Sequence, residues 1–573
     1  MHFTDFSVCL KVVVAKGRYQ MSVSYTFWGF QNANLLCIPV VIFFLGGIAG
    51  KLASLGRLQI QKAWSATLFA STTALIFALF FCGDAFVHAR AMTHKPRIDS
   101  LFRVGSLAFS FRFDLVSVLM LLLVSFLGWI IASYSRAYMC GDAEEGRYIG
   151  NLMWTLSAVS LLVVTNNLLV FLAAWILTSL TLHGLLALYP YRQAAVIAAH
   201  KKLLASRLGD LALLGAVVIL WTQTRSFELN EIARHIGAIG VVPASIHIAA
   251  ILLAVSAMIQ CAQLPLHGWL IQVMEAPTPV SALLHAGVVN LGGFMLVRVA
   301  SVINTTPAAR ELLVVGGCIT AIISSMVMTT RISIKVHLAW STCAQMGFML
   351  MECGLGLYGL ALLHLLAHSL YKAHAFLGSG GVVKQAGAGC LTHRDSSGRG
   401  GALAPSALAG VLIAAIASIF WAPHHAREAT SLFGITIVGL AIARVLAAAF
   451  RARDAAASLV LFLCAVGVSA LYFGYEAAFE KVISAAERPI GQPLGIVTFV
   501  LISFALLYLT QGIVRRDPSG RLATALYPWF YAGLYLDELF TRGTFRIWPT
   551  STAAQLMQRR DVLQPFSKTG VSK

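Results

Sequence analysis

Apolar runs long enough to cross a bilayer recur from one end of this sequence to the other, and no other feature restricts its fold as strongly. A spanning helix needs ~20 predominantly apolar residues, because in hydrocarbon every backbone N–H and C=O must be paired within the segment. Counted on that length, the runs give about 15 spans, the first centred near Phe43 and the last near Leu506. Only 11% of the residues are charged, less than half the ~25% usual in soluble domains, which excludes a water-soluble enzyme. Alternating apolar and polar segments of barrel length are missing, which argues against an outer-membrane barrel. The fold class expected is an all-α polytopic membrane protein.

The formal charge of +19 must sit mostly in loops and at helix ends, since lysine and arginine are costly at the bilayer centre. Assigned to alternating sides, about 25 basic residues fall with Lys51, Lys201, Lys202, Arg451 and the C-terminus, against about 15 opposite. The positive-inside rule makes the first side cytoplasmic, and such loops suit an anionic leaflet or an acidic partner face. The basic residues are scattered among spans rather than gathered in one domain, which argues against nucleic-acid binding. Ten cysteines form no Cys-x-x-Cys pair, and Cys82, Cys261, Cys318 and Cys464 fall inside apolar spans, so they read as small buried hydrophobes. Neither a protein-bound metal nor a cofactor is expected. Residues 1–32 read as an N-terminal extension without a signal-peptide pattern, with Met21 an alternative start. Tyr527-Pro-Trp-Phe-Tyr531 reads as an interfacial aromatic segment ahead of a polar tail.

Ionisable side chains inside spans are expensive and therefore point to function. His364, His368 and Lys372 recur at i, i+4 and i+8, one helix face with roughly 6 Å per step. Imidazole takes and releases a proton near neutral pH, so a water-bridged row of such groups reads as a proton relay. The same residues could instead be interior hydrogen-bonding groups that hold a bundle together. A metal site is the third reading, disfavoured because no carboxylate accompanies the row. Lys335 and His337 open the preceding span, where a lysine is ordinarily a snorkelling anchor. Pro265, in Gln263-Leu-Pro-Leu-His267, and Pro277 and Pro279, in Ala276-Pro-Thr-Pro279, interrupt two neighbouring spans, with His285 about two turns beyond. Broken membrane helices are tolerated where they line a cavity or a polar path.

The run Gln263-Leu-Pro-Leu-His-Gly-Trp-Leu270, continued by Met274-Glu-Ala-Pro-Thr-Pro-Val-Ser-Ala-Leu-Leu-His-Ala-Gly287, resembles the signature of the antiporter-like subunits of respiratory complex I and of Mrp cation/proton antiporters. Phe113-Asp114, Ser206-Arg-Leu-Gly-Asp210 and Lys335…Ala339-Trp-Ser-Thr342 agree with it in order and spacing. The resemblance implies a bundle of two inverted five-helix repeats containing broken helices, at 113–222 and 246–385. N-terminal transmembrane helices at 33–112 and C-terminal ones at 402–514 would flank them, with an interfacial segment and tail at 515–573. It also implies proton translocation, for which His285, Lys335, His364, His368 and Lys372 are the relay candidates.

At its charged pair the sequence departs from that family. Where the family has a glutamate after a tryptophan, Trp175 is followed by Ile176, and the position of the paired lysine holds Gln260. Loss of both together spares the membrane an unpaired charge costing several kcal/mol. A first-half polar path would then run through His183, Arg207, Asp210 and Gln260, with Arg207 and Asp210 at a helix end. The family's later lysine motif has no match in 402–421. With these changes the chain looks more like the DabB family, membrane subunits of inorganic-carbon pumps that partner a soluble zinc-dependent, carbonic-anhydrase-like protein, DabA. The expectation is a cation-conducting subunit of the cell inner membrane, H+ being the expected ion, that drives CO2 hydration to bicarbonate on a cytoplasmic DabA-like partner and is not itself the enzyme. Two rivals remain. One is a pumping subunit of a complex I or membrane-hydrogenase relative, or an Mrp-type antiporter; the other is a non-conducting scaffold.

Overall fold

A computed structural model describes residues 8–15, 18–25, 33–90, 97–104, 107–273, 276–381, 403–421, 429–452, 454–480 and 493–547. The chain opens with a hairpin that the reading of 1–32 as a plain extension did not foresee, β1 (Val8–Ala15) paired antiparallel with β2 (Arg18–Tyr25). Helices α1 (Cys37–Ser54) and α2 (Ile60–Arg90) follow, then a second hairpin of β3 (Arg97–Val104) and β4 (Leu107–Phe113).

From Asp114 the bundle is continuous. Asp114 is extended and its carboxylate accepts from the Ser117 backbone N–H at 2.7 Å, which caps α3 (Leu115–Tyr138). Asn167 does the same between α4 (Glu145–Val164) and α5 (Leu168–Leu186), accepting from Leu169 and Val170. The Thr165-Asn166-Asn167 turn is pinned from both sides, by bridges to Phe111 and to Glu228. Next come the 32-residue α6 (Gln193–Thr224), the short α7 (Leu229–Ala238) and α8 (Ala244–Gln260).

Here the helix breaks. Cys261 to His267 are non-helical, Ala262 adopts a left-handed φ of 50°, and the path resumes as α9 (Gly268–Gln272). Pro265 lies in that gap. Pro277 and Pro279 do not interrupt a span; they stand before and inside the first turn of α10 (Thr278–Ala286). Proline belongs there, because the first N–H groups of a helix have no intrahelical acceptor to lose. The second irregularity comes after His285, where a 3-10 turn (Val288–Asn290) joins α10 to α11 (Leu291–Arg298). The motif residues Met274 and Glu275 lie outside the described residues.

The second half continues through α12 (Ala300–Asn304), α13 (Pro307–Met328), α14 (Ile334–Leu355) and α15 (Tyr358–Leu377). Glycines let α13 and α14 meet backbone to backbone. A Cβ on Gly317 would stand 2.4 Å from the Gly347 carbonyl oxygen, and one on Gly347 2.6 Å from that of Gly317. Beyond lie α16 (Leu403–Trp421), α17 (Ala429–Ala449), α18 (Ala455–Glu480) and α19 (Leu494–Arg516), which turn Ile416, Phe420, Leu463 and Leu506 outward. Cys464, expected to be buried, is exposed on this outward side. The Tyr527–Tyr531 stretch is helical, within α20 (Arg521–Tyr531), and α21 (Leu536–Ile547) ends the described chain.

Among the described residues twelve helices are long and apolar enough to cross a membrane. The expected fifteen are not reached on that measure. α8 has 17 residues, and α14 and α15 carry ionisable side chains that lower their apolar character. Residues 113–222 hold four helices, α3 to α6, none of them broken; the break lies further on, after α8.

Candidate functional site

The row on α15 sits where α10, α14 and α15 meet. His364 donates through Nδ1 to Glu352 Oε2 at 3.0 Å, and its ring centroid is 6.1 Å from that of His368. His368 Nε2 donates to the His285 carbonyl at 3.3 Å. The His285 ring stacks on Phe376 with centroids 4.4 Å apart, and its Nδ1 meets Thr342 Oγ1 at 3.1 Å. Thr342 already donates its hydroxyl proton to the Leu338 carbonyl, so His285 must be the donor. That leaves His285 Nε2 as a buried acceptor with no partner among the described residues. Lys372 donates to Ser341 Oγ at 2.8 Å and to the same Leu338 carbonyl at 3.2 Å.

One expectation is corrected here. A carboxylate does accompany the row, since Glu352 from α14 pairs with His364. Lys335 stands at the first turn of α14 and is half-buried, outside the hydrogen bonds that join the other four. Next to the row, Asn290 donates to Ser369 Oγ at 2.7 Å and to the Ala286 carbonyl at 2.9 Å, closing the polar groups freed at the 3-10 turn. A cavity of about 20 Å³ lies between α3, α4, α10 and α15, walled by Leu123, Leu127, Leu156 and Leu283 with Asn290 and Ser369 as its polar edge.

The first-half residues form a second group. Arg207 and Asp210 are an ion pair at 2.8 Å in the middle of α6, not at a helix end. Lys201 and Lys202, counted among the basic loop residues, are buried on the same helix and present no charge to a partner. Lys202 Nζ donates to Ser206 Oγ at 2.5 Å and Ser179 Oγ at 3.3 Å, and lies 5.5 Å from the Trp269 ring centroid. His183 donates to the Ala199 carbonyl at 3.3 Å and stacks on His200 at 6.2 Å. Gln260 donates to the Val288 carbonyl at 3.3 Å, so it satisfies the second irregularity from the edge of the first.

A third charged element locks the two halves. Arg298, at the end of α11, grips Asp114 through Nη1 at 2.7 Å and Nη2 at 3.2 Å, and also donates to Ser117 Oγ. Arg112 Nε adds a contact at 2.6 Å. Burial would raise the Asp114 carboxyl, but Arg298 and Arg112 together hold it well below the usual carboxylate range.

Titratable groups buried along broken helices, held by hydroxyls and carbonyls, define an antiporter-like membrane subunit. Residues 165–397 match the family described as NADH:quinone oxidoreductase/Mrp antiporter, transmembrane, and residues 102–149 match the complex I chain 5 N-terminus. The fold is that of a chain in the Mrp complex from a Dietzia species, with a TM-score of 0.58 at 22% identity, covering 91% of this chain and 60% of that one. A relative from Hydrogenovibrio crunogenus, named "Probable inorganic carbon transporter subunit DabB", is 40% identical over 444 residues, 76% of this chain and 83% of its own length. Another from Halothiobacillus neapolitanus, named "Probable inorganic carbon transporter subunit DabB2", is 34% identical over 529 residues, 90% of this chain and 94% of its own. The chain belongs to the DabB family.

Proposed function

We propose that this chain is the proton-conducting membrane subunit of an inorganic-carbon pump of the cell inner membrane. A soluble, zinc-dependent, carbonic-anhydrase-like partner of the DabA type on the cytoplasmic side hydrates CO2 to bicarbonate, and proton flow through this chain makes that hydration one-way. The observation that carries this reading is likeness along nine-tenths of the chain to a relative named as an inorganic carbon transporter subunit. The conducting role is supported by the row Glu352, His364, His368, His285 and Lys372, buried but for the half-buried His364. In it Glu352 pairs with His364, the others are tied to hydroxyls and carbonyls, and Nε2 of His364 and of His285 has no partner among the described residues. In this reading Lys335 stands at the mouth of the second-half route. His183, Arg207, Asp210 and Gln260 belong to the first-half route, with Lys202 added to them. Hydration of CO2 needs a water made acidic by a metal, and that chemistry belongs to the partner.

Co-expression with the soluble partner in a carbonic-anhydrase-deficient cell is expected to restore growth in air, and an uncoupler to abolish inorganic-carbon uptake. Uptake that survives collapse of the proton gradient overturns the reading. So does a purified complex that brings flavin or iron–sulfur proteins in place of a zinc protein.

A further inference from the structure

A lysine with none of its side chain exposed needs a counter-charge, and for Lys201 it comes from the far end of the chain. Asp537, in the first turn of α21, accepts from Lys201 Nζ at 2.9 Å and from Gln272 Nε2 at 2.9 Å. Gln272 ends α9, the short helix after the break, and Gly268 begins it. A Cβ on Gly268 would stand 1.5 Å from Asp537 Oδ1, so only glycine leaves the carboxylate its place. Phe540, one turn further on, lies 5.8 Å from Lys201 Nζ. The preceding segment is fixed as well: Arg331 donates to the Phe530 carbonyl at 3.2 Å and lies over the rings of Trp340 and Tyr531.

A mechanical staple would account for those bonds, but two facts go beyond one. Asp537 is 34% exposed while Lys201 is 0% exposed, so of this pair only the carboxylate reaches the surface of the described residues. Behind it lies a line of proton-bearing groups. His267 is buried with its Nε2 lacking a partner among the described residues, and it feels the charges of Asp537, Lys201 and Arg331. Lys202 turns the other way along α6, to Ser206, and one turn beyond that stands Asp210.

We propose that Asp537 is the proton-uptake group of the first-half route, a carboxylate at the water's edge that reloads Lys201. The proposal rests on the proton-conducting reading. At rest Asp537 is anionic and Lys201 cationic. When Lys201 gives a proton inward to the next acceptor of the route, it is left as a neutral amine. Asp537, protonated from water, gives that proton to the Lys201 nitrogen and returns to its anionic form. One N–H breaks and one forms at Lys201, and the net charge of the pair is restored.

The test uses the full chain assembled with its partner in proteoliposomes, with proton flux read by a pH-sensitive dye per assembled complex. Asp537→Asn keeps an oxygen for Lys201 but holds no proton. The expected result is a lowered yield of complex, with flux per assembled complex reduced roughly a hundredfold, the low end of what a positioned proton-transfer group contributes. Asp537→Glu, which restores a carboxylate, is expected to restore flux. A second arm needs no variant: a water-soluble carbodiimide with a small amine should amidate Asp537 in the wild-type complex, identified by peptide mass, and flux should fall with its occupancy. Wild-type flux in Asp537→Asn or in the amidated complex overturns the proposal, and so does failure of Asp537 to react, since an uptake group must meet solvent. A wild-type complex that moves no protons sinks the conducting reading instead.

Discussion

Glu352 is 2% exposed at its side chain, and a carboxylate so placed is tolerable only with a partner, which His364 supplies. The pairing changes which substitution is informative. His364→Ala strands the carboxylate and is expected to cost about 3–5 kcal/mol of stability, so that yield falls along with transport. His364→Gln keeps a donor for Glu352 without a titratable ring, and is expected to leave assembly intact while abolishing flux. Lys335→Ala, at a half-buried helix start, is likewise expected to abolish flux with assembly unchanged. Gln260→Ala loses one hydrogen bond of roughly 0.5–1.5 kcal/mol and should only weaken transport. Near-normal flux per complex in His364→Gln and Lys335→Ala would end the relay. Arg298→Met tests the lock between the halves. Arg112 still faces Asp114 after the change, so the expected loss is about 3 kcal/mol, the lower end for a broken buried pair, read as a lowered melting temperature in detergent. Because the Asp114 carboxyl is held below its unfolded value, its stabilisation is complete above about pH 4 and is lost as the pH falls below that. Arg298→Met should therefore flatten the acid limb of the stability curve. The row on α15 was legible from spacing alone, and the same i, i+4, i+8 signal runs through Lys202, Ser206 and Asp210. It was hidden because adjacent lysines were counted as loop charge. Glu352 and Arg298 gave no such signal, because their partners come from other helices.

Between α13 and α14 the packing depends on what is missing at Gly317 and Gly347. Gly347→Val would drive a branched side chain into the Gly317 carbonyl and the Ala321 backbone, each under 3 Å from a Cβ at that position. The helices must then part, carrying Lys335, Thr342 and Glu352 away from α15. The expected outcome is loss of both assembly and flux, while Gly347→Ala, with the least added bulk, retains more of each. Equal behaviour of the two variants would show that the close approach does not hold the site. At this level the break after Gln260 was legible from proline among polar residues. Pro277 and Pro279 carried the same sign but not the same geometry, because proline opens a helix as readily as it breaks one. The two hairpins escaped notice because Val8–Ala15 and Arg97–Val104 sit beside apolar runs whose length dominates the reading.

For the molecule as a whole, run length was enough to specify a multi-span bundle, because hydrocarbon leaves the backbone so few alternatives. Which helices touch was not in the runs. It is decided by pairs such as Lys201 with Asp537, 336 residues apart in the chain. That separation has a temporal side. At the ~5–20 residues per second of translation, roughly 20–70 s pass between synthesis of the lysine and of its aspartate. Throughout that interval α6 exists with an ammonium and no carboxylate to meet it. The first half can close only after the ribosome has finished the last helices. A chain that stalls or is clipped before Leu536 keeps a buried ammonium on α6 with no carboxylate to meet it.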